Sequence, residues 1–357
     1  MERIASARSR RAGGRASGTA RRVPAVARAL AGVLRARFGR ARPVFLSHLL
    51  TARCFASCPT CLWRGTAPEE MSTERILDFY RRARATGFVA ANFWGGEPLL
   101  REDLAVILRG CRQMGFVTSM VTNGYLLPAR AGEVAPWLHH LVVSLDLPNE
   151  EHDRLRGVPG LFARALEGIA AARADNPRLK VLLNAVVSRH TYPQVLEVAS
   201  LAARLEASVS FEVPDEGLPR FRVSTEEIRT RLAPEQERAA FAEIARRKAA
   251  GEPINNSRTY LESFARGTPS YHCHLPQLCL RVAPDGTAMN CLHPEAPLGN
   301  VYADSLDALL NGPAARRLAS ECASCSRCTD CTAIETSLFW ELRPEVVANS
   351  VRRLLGM

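Results

Sequence analysis

Between Pro43 and residue 215 short apolar runs alternate with amphipathic stretches, and no other feature of this 357-residue chain restricts its fold so strongly. The runs at 44–50, 88–94, 116–122, 141–145, 181–187 and 207–213 have the length and composition of strands. The stretches at 73–85, 103–114, 131–138, 161–173 and 194–205 place apolar residues at helical spacing. Six strands alternating with helices predict an α/β fold with a parallel sheet and right-handed crossovers. Six such units make a partial (β/α)6 TIM-like barrel, open on one side where eight units would close. That core spans 43–215; residues 216–270 read as a charged helical connector, and 271–335 as a small cysteine-rich C-terminal domain. Residues 336–357 carry Leu338, Phe339, Leu342, Val346, Val347, Val351, Leu354 and Leu355 at the spacing of a closing helix.

The basic balance is confined to one end. The formal charge is +11, and residues 1–42 hold twelve arginines against the single acid Glu2, so the body from Pro43 onward is close to neutral. A near-neutral body without an aromatic stacking platform argues against nucleic acid as a partner. Residues 1–20 have almost nothing to bury and are expected to be disordered. Beyond them Val23, Val26, Leu30, Val33, Leu34 and Phe38 recur at helical spacing among arginines. Such a helix closes one end of the barrel, or makes peripheral contact with an anionic membrane through residues 22–41. A transit peptide is the third reading. No apolar run approaches the roughly 20 residues that span a bilayer, and no signal-peptide pattern opens the chain. A cytoplasmic location, peripheral at the membrane if the arm binds it, is therefore expected.

Eleven cysteines grouped this tightly point to metal rather than disulfides. Cys111 stands apart beside Leu104, Ile107 and Leu108 and reads as a small buried hydrophobe. Cys54, Cys58 and Cys61 form C-x3-C-x2-C directly after the first strand, three thiolates within eight residues. Such a loop can wrap one cuboidal cluster of four irons, leaving one iron without a protein ligand. An open position of this kind is what a catalytic metal site requires. Zinc would need a fourth ligand, and the only nearby candidate is His48, back inside the strand. One strand later comes Phe93-Trp94-Gly95-Gly96-Glu97-Pro98-Leu99-Leu100. Two glycines let backbone approach a ligand, and Glu97 can accept a charge-assisted hydrogen bond. Taken alone, the motif is a turn and a helix start.

Together these residues resemble the radical S-adenosylmethionine superfamily, whose C-x3-C-x2-C loop follows the first strand of a partial barrel and whose GGEP motif ends the second. The resemblance covers roughly residues 44–215 and implies a catalytic 4Fe-4S cluster on Cys54, Cys58 and Cys61, with S-adenosyl-L-methionine chelating the open iron. It further implies reductive cleavage to a 5′-deoxyadenosyl radical, which takes hydrogen from a substrate carbon. Gly95, Gly96, Glu97 and Pro98 would then bind the cofactor, Glu97 through the methionine ammonium. Asn123, in Thr122-Asn123-Gly124, ends the third strand. Ser144 and Asp146 end the fourth, and resemble the S-x-D that reaches the ribose or carboxylate. For Asn123, and for Asn184 in the fifth strand, a structural role is the alternative. His152-Asp153-Arg154-Leu155-Arg156-Gly157 resembles the HDxxRG loop of peptide-modifying members.

Seven further cysteines, Cys273, Cys279, Cys291, Cys322, Cys325, Cys328 and Cys331, crowd the C-terminal region. The stretch from Cys279 to Cys291 reads as a hairpin turning at Asp285-Gly286. The region resembles a SPASM or twitch extension, implying one or two auxiliary 4Fe-4S clusters. The pattern departs from the family at Glu335, where a further cysteine would fall, and Cys328 is an extra. A four-thiolate zinc knuckle is the alternative. His272, His274 and His293 read as bystanders. The expected activity is radical modification of a peptide or protein in a maturation pathway, with a flavodoxin- or ferredoxin-type electron donor. The alternatives are modification or dehydrogenation of a small metabolite or lipid and, remotely, a zinc- or cluster-bearing nucleic-acid-binding protein.

Overall fold

The computed structural model describes residues 43–61, 69–215, 229–267, 271–289, 291, 297–325 and 328–355, together with Ala27, Ala31 and Leu34. Those last three are helical, and Leu34 is exposed; the rest of the expected amphipathic arm, its disordered start and His293 lie outside the described residues.

Six parallel strands, β1 (Phe45–Thr51), β2 (Ala90–Gly95), β3 (Val117–Thr122), β4 (His140–Ser144), β5 (Lys180–Val186) and β6 (Ser208–Glu212), pair in chain order. The crossovers are α1 (Thr73–Thr86), α2 (Leu104–Gln113), α3 (Leu127–Val134), α4 (Glu151–Arg156), α5 (Leu161–Asp175) and α6 (Val198–Arg204). This is the partial (β/α)6 barrel that the alternation predicts. The strand period of two sorts each run by face. Leu141, Val143, Leu183, Val209 and Phe211 are buried toward the helices. Their neighbours Ser144, Asn184, Ser208 and Ser210 line a cavity. A full barrel fills its interior with branched side chains. Here small polar groups leave about 1420 Å³ open.

Several helices differ from the sequence expectation, and proline explains the first. Pro128 lies in the first turn of α3, where its missing N–H is harmless, so the helix starts before residue 131. Pro136 then converts its end to a 3-10 turn, Ala135–Trp137. The short α4 runs from Glu151 through His152-Asp153-Arg154-Leu155-Arg156 and stops at Gly157, whose φ of 67° is left-handed.

The charged connector supplies α7 (Pro234–Ala249) and α8 (Arg258–Ala265), which stack Phe241, Tyr260 and Phe264 against one another. Between them Asn256 clamps β6: its Oδ1 accepts from Phe211 N at 2.7 Å and its Nδ2 donates to Phe211 O at 3.0 Å. This segment covers the edge strand that would otherwise present unpaired backbone. After α9 (Leu275–Leu278), β7 (Cys279–Val282) joins the other edge of the sheet, parallel to β1 and with Arg281 opposite Ser47. β8 (Thr287–Met289) and β9 (Gly299–Asn300) follow antiparallel, and Asp285-Gly286 makes the expected hairpin turn. The chain ends with α10 (Leu306–Asn311), α11 (Pro313–Ala323), α12 (Cys331–Trp340) and α13 (Pro344–Leu355); the single closing helix expected at 336–357 is thus two, broken ahead of Pro344, and the first begins inside the cysteine-rich region. Among the described residues no helix is long and apolar enough to cross a membrane.

Candidate active site

Cys54, Cys58 and Cys61 follow β1 and line one end of the barrel cavity. The backbone of this loop is held from two sides. Gly96 N donates to Thr51 O at 2.7 Å and Glu97 N to Arg53 O at 2.8 Å. The approach is so close that a Cβ on Gly96 would stand 2.1 Å from Arg53 O, and one on Gly95, at φ 145°, 2.1 Å from Thr51 O. The glycines therefore let the second strand reach the cysteine loop, a protein-to-protein contact. Arg53 also pairs with Glu70 at 2.9 Å, and the buried Arg101 holds Glu70 at 3.0 Å and Asp103 at 2.7 Å. From the other side Ser57 N donates to Arg156 O at 2.9 Å.

Glu97 is fully buried and does not line the cavity. Its carboxylate accepts from Leu99 N at 3.0 Å, Thr122 Oγ1 at 2.7 Å and Asn123 N at 2.7 Å. It thus ties the end of β2 to the end of β3, with one acceptor direction left of roughly four. Burial raises its pKa, against those hydrogen bonds. Pro98 is likewise buried off the cavity, starting a 3-10 turn. Asn123 does line the cavity: its Oδ1 accepts from Tyr125 N at 2.9 Å, and its buried Nδ2 has no partner among the described residues. A buried amide N–H without an acceptor leaves room for one from a ligand or a water.

Ser144 and Asp146 separate. Ser144 faces the cavity, whereas Asp146, 2% exposed, turns to Arg156 at 2.7 Å and accepts from Val186 N at 3.0 Å. The charge that reaches the cavity at this corner is the Arg156 guanidinium. Its proton is held more tightly than usual; burial opposes this, and Asp146, with the Cys58 and Cys61 sulfurs, favours it. The only sequence signal for Arg156 was the HDxxRG motif; Arg101 and Glu70 gave none. Asn184 lines the cavity as its strand position predicts. His48 does not belong here: it is buried among Phe79, Tyr80 and Phe93, with Nδ1 3.2 Å from Tyr80 Oη. Burial, then Arg101, lowers its pKa to about 3.

Across the cavity stand Glu212, Asp215 and Asp330. Burial, and then Asp330, pushes Glu212 up to about 7 and shifts Asp215 in the same direction. Sequence patterning gave no sign of them, because they come from β6, the chain beyond it and the cysteine-rich region.

The C-terminal cysteines do not form a four-sulfur knuckle. Cys322 is buried and its thiol sits in hydrogen-bonding contact with both Cys273 and Cys291. Cys279 is buried in the same apolar cluster with Leu275 and Leu318, and Cys328 packs against its rim. Cys325 N donates to Cys322 O at 3.1 Å. Cys331, by contrast, lines the barrel cavity, 3.7 Å from Asn256 Nδ2. Among the described residues no three His, Cys, Asp or Glu side chains converge as a single ion requires. Cys111 is fully buried, as expected, and desolvation raises its pKa. Of the flanking histidines, His274 stacks on Trp340 at 5.6 Å and His272 is exposed with Nδ1 3.3 Å from Ala323 O.

Residues 49–204 match the family model of the radical SAM superfamily, and residues 273–332 match that of an iron-sulfur cluster-binding domain, SPASM. The chain belongs to the radical SAM superfamily. It is an enzyme with a C-terminal SPASM region, and its cofactors are S-adenosylmethionine, a catalytic 4Fe-4S cluster and auxiliary iron–sulfur. Solved structures of the same fold include SuiB of Streptococcus suis bound to S-adenosylmethionine, with 16% identity, TM-score 0.63, 80% of this chain and 71% of that chain covered. SuiB bound to its precursor peptide SuiA matches with 16% identity, TM-score 0.63, and 82% and 70% covered. Native anSMEcpe with bound AdoMet and the Kp18Cys peptide matches with 16% identity, TM-score 0.62, and 86% and 99% covered. The residues present fit the radical SAM cofactors: three cysteines line the cavity, with the Asn123 Nδ2 that has no partner among the described residues and the Arg156 cation.

Proposed function

We propose that this radical SAM enzyme modifies a peptide or protein substrate in a maturation pathway, taking a hydrogen atom from it with the radical that S-adenosylmethionine cleavage supplies. Cys54, Cys58 and Cys61 are the ligands of the catalytic cluster. Asn123, Ser144 and Arg156 contact S-adenosylmethionine, Gly95 and Gly96 line its cavity, and Glu97, Pro98 and Asp146 shape the site from behind. Cys273, Cys279, Cys291 and Cys322 surround an auxiliary cluster, with Cys325, Cys328 and Cys331 as the thiols available to a second. A flavodoxin- or ferredoxin-type protein delivers the electron.

The observation that carries this reading is the cavity. At about 1420 Å³ it exceeds the roughly 300–1,000 Å³ of small-ligand pockets, and it runs from the cysteine triad to the acidic wall of Glu212, Asp215 and Asp330. S-adenosylmethionine alone would leave much of it open, which suits an extended chain more than a small metabolite. The fold shared with two enzymes solved with bound peptides supports the same class.

The test is anaerobic reconstitution with iron and sulfide, followed by S-adenosylmethionine, dithionite and candidate peptides encoded near the gene. The expected outcome is 5′-deoxyadenosine together with a mass shift in one peptide. No 5′-deoxyadenosine from cluster-loaded protein would sink the radical chemistry. Robust turnover of a small metabolite with every peptide unchanged would overturn the peptide reading.

A further inference from the structure

The auxiliary sulfur site is flanked by two polar side chains that the activity just described does not use. Arg281 lies on β7, two residues beyond Cys279, and is 4% exposed. Its Nη2 donates to Asp330 at 2.6 Å, while its Nε is buried without a partner among the described residues. Cys279 shares its face of β7 by the strand period of two, and the guanidinium lies within electrostatic reach of the Cys279, Cys328 and Cys273 sulfurs as well as of Asp330. Tyr271 packs against the same cysteine cluster, with its hydroxyl against the Cys328 sulfur and Cys273 nearby. Two donors thus face one sulfur-rich volume, at a place where buried polar hydrogens ordinarily find an acceptor.

We infer that Arg281 and Tyr271 donate hydrogen bonds to the sulfurs of the auxiliary cluster and hold its reduction potential up, with Asp330 as the opposing charge. This rests on the reading that Cys273, Cys279, Cys291 and Cys322 surround that cluster, with Cys328 packed against its rim. The physical reason is electrostatic. Reduction adds negative charge to a buried cluster, and hydrogen bonds to its sulfurs and nearby charge set how readily it accepts an electron. A cation and two directed donors stabilise the reduced state; a carboxylate destabilises it. Arg281 and Asp330 therefore partly cancel, and removing either unbalances the other. Arg281, Asp330 and Cys331 also line the barrel cavity, so the Arg281–Asp330 pair stands between substrate space and the auxiliary site. Arg281 and Tyr271 are positioning residues, acting through the cluster.

The experiment uses the full chain carrying Cys54→Ala, Cys58→Ala and Cys61→Ala, so that every iron–sulfur signal arises from the C-terminal cysteines, and it follows the signal that a further Cys273→Ala removes. After anaerobic reconstitution, its midpoint potential is read by electron paramagnetic resonance during a redox titration. Arg281→Met and Tyr271→Phe are each expected to move the midpoint to more negative values, and Asp330→Asn to more positive ones. Arg281→Lys keeps the charge but loses the directed Nε donor, and is expected to fall between wild type and Arg281→Met. If Arg281→Met fails to fold, Arg281→Lys and Tyr271→Phe carry the test. Unmoved midpoints in both, or a positive shift on losing Arg281, would overturn the inference with the cluster site intact. Failure of the parent chain to take up any iron–sulfur would instead overturn the cluster site, and the inference with it.

Discussion

At Gly96 the added methyl of an alanine would stand 2.1 Å from the Arg53 carbonyl oxygen, a backbone atom fixed by the hydrogen bond from Glu97 N. Neither side is a flexible side-chain tip, so the cysteine loop itself must move. Gly96→Ala is expected to lose about one cluster's four irons on reconstitution while far-ultraviolet circular dichroism stays unchanged; full iron content would refute the clamp. The Asp146–Arg156 pair is the second residue-scale device. Both members are buried, and Arg156→Met leaves Asp146 uncompensated, which is expected to cost about 3–5 kcal/mol in urea unfolding. His48 sets an acid sensitivity. Its folded pKa is about 3 against 6.5 ordinarily, so below pH 6.5 the unfolded chain binds a proton that the folded one refuses. Stability is therefore lost as pH falls, by about 2 kcal/mol between pH 6.5 and 5 at roughly 1.36 kcal/mol per unit. His48→Phe is expected to shrink the difference in unfolding free energy between pH 7 and 5 by that amount, measured from denaturant curves.

β1 is the element on which both metal regions depend. It pairs with β2 on one side and β7 on the other, and the loop carrying Cys54, Cys58 and Cys61 leaves its end. Without β7 it would become an edge strand that is apolar and long, the form that templates aggregation. A chain ending at residue 270 is therefore expected to aggregate rather than yield a monomeric barrel, which size-exclusion chromatography would show directly. The strands themselves were legible in the sequence to within two residues at nearly every end, because the period of two is a local property. α4 was not legible. It is six residues long and held by Asp146 and the cysteine loop, contacts that lie far along the chain.

For the whole molecule, the excess charge of +11 resides in residues 1–42, ahead of a near-neutral body that contains both cysteine regions. Removing residues 1–42 is expected to leave reductive cleavage of S-adenosylmethionine unchanged, while any sedimentation with anionic vesicles disappears. A dead truncation would place the arm in the catalytic body instead. By itself the sequence determined the barrel class, the cysteine loop and the motif that braces it, since each is written in spacing along a few residues. Only the tertiary structure decided that Glu97 joins β2 to β3, and that Arg156 rather than Asp146 faces the cavity. It also drew Cys322 out of its own C-x2-C run toward Cys273 and Cys291, and left Cys331 on the cavity wall. Those outcomes turn on which distant backbone and charge each buried polar group meets, and that is settled by sheet register and packing, which no local pattern encodes.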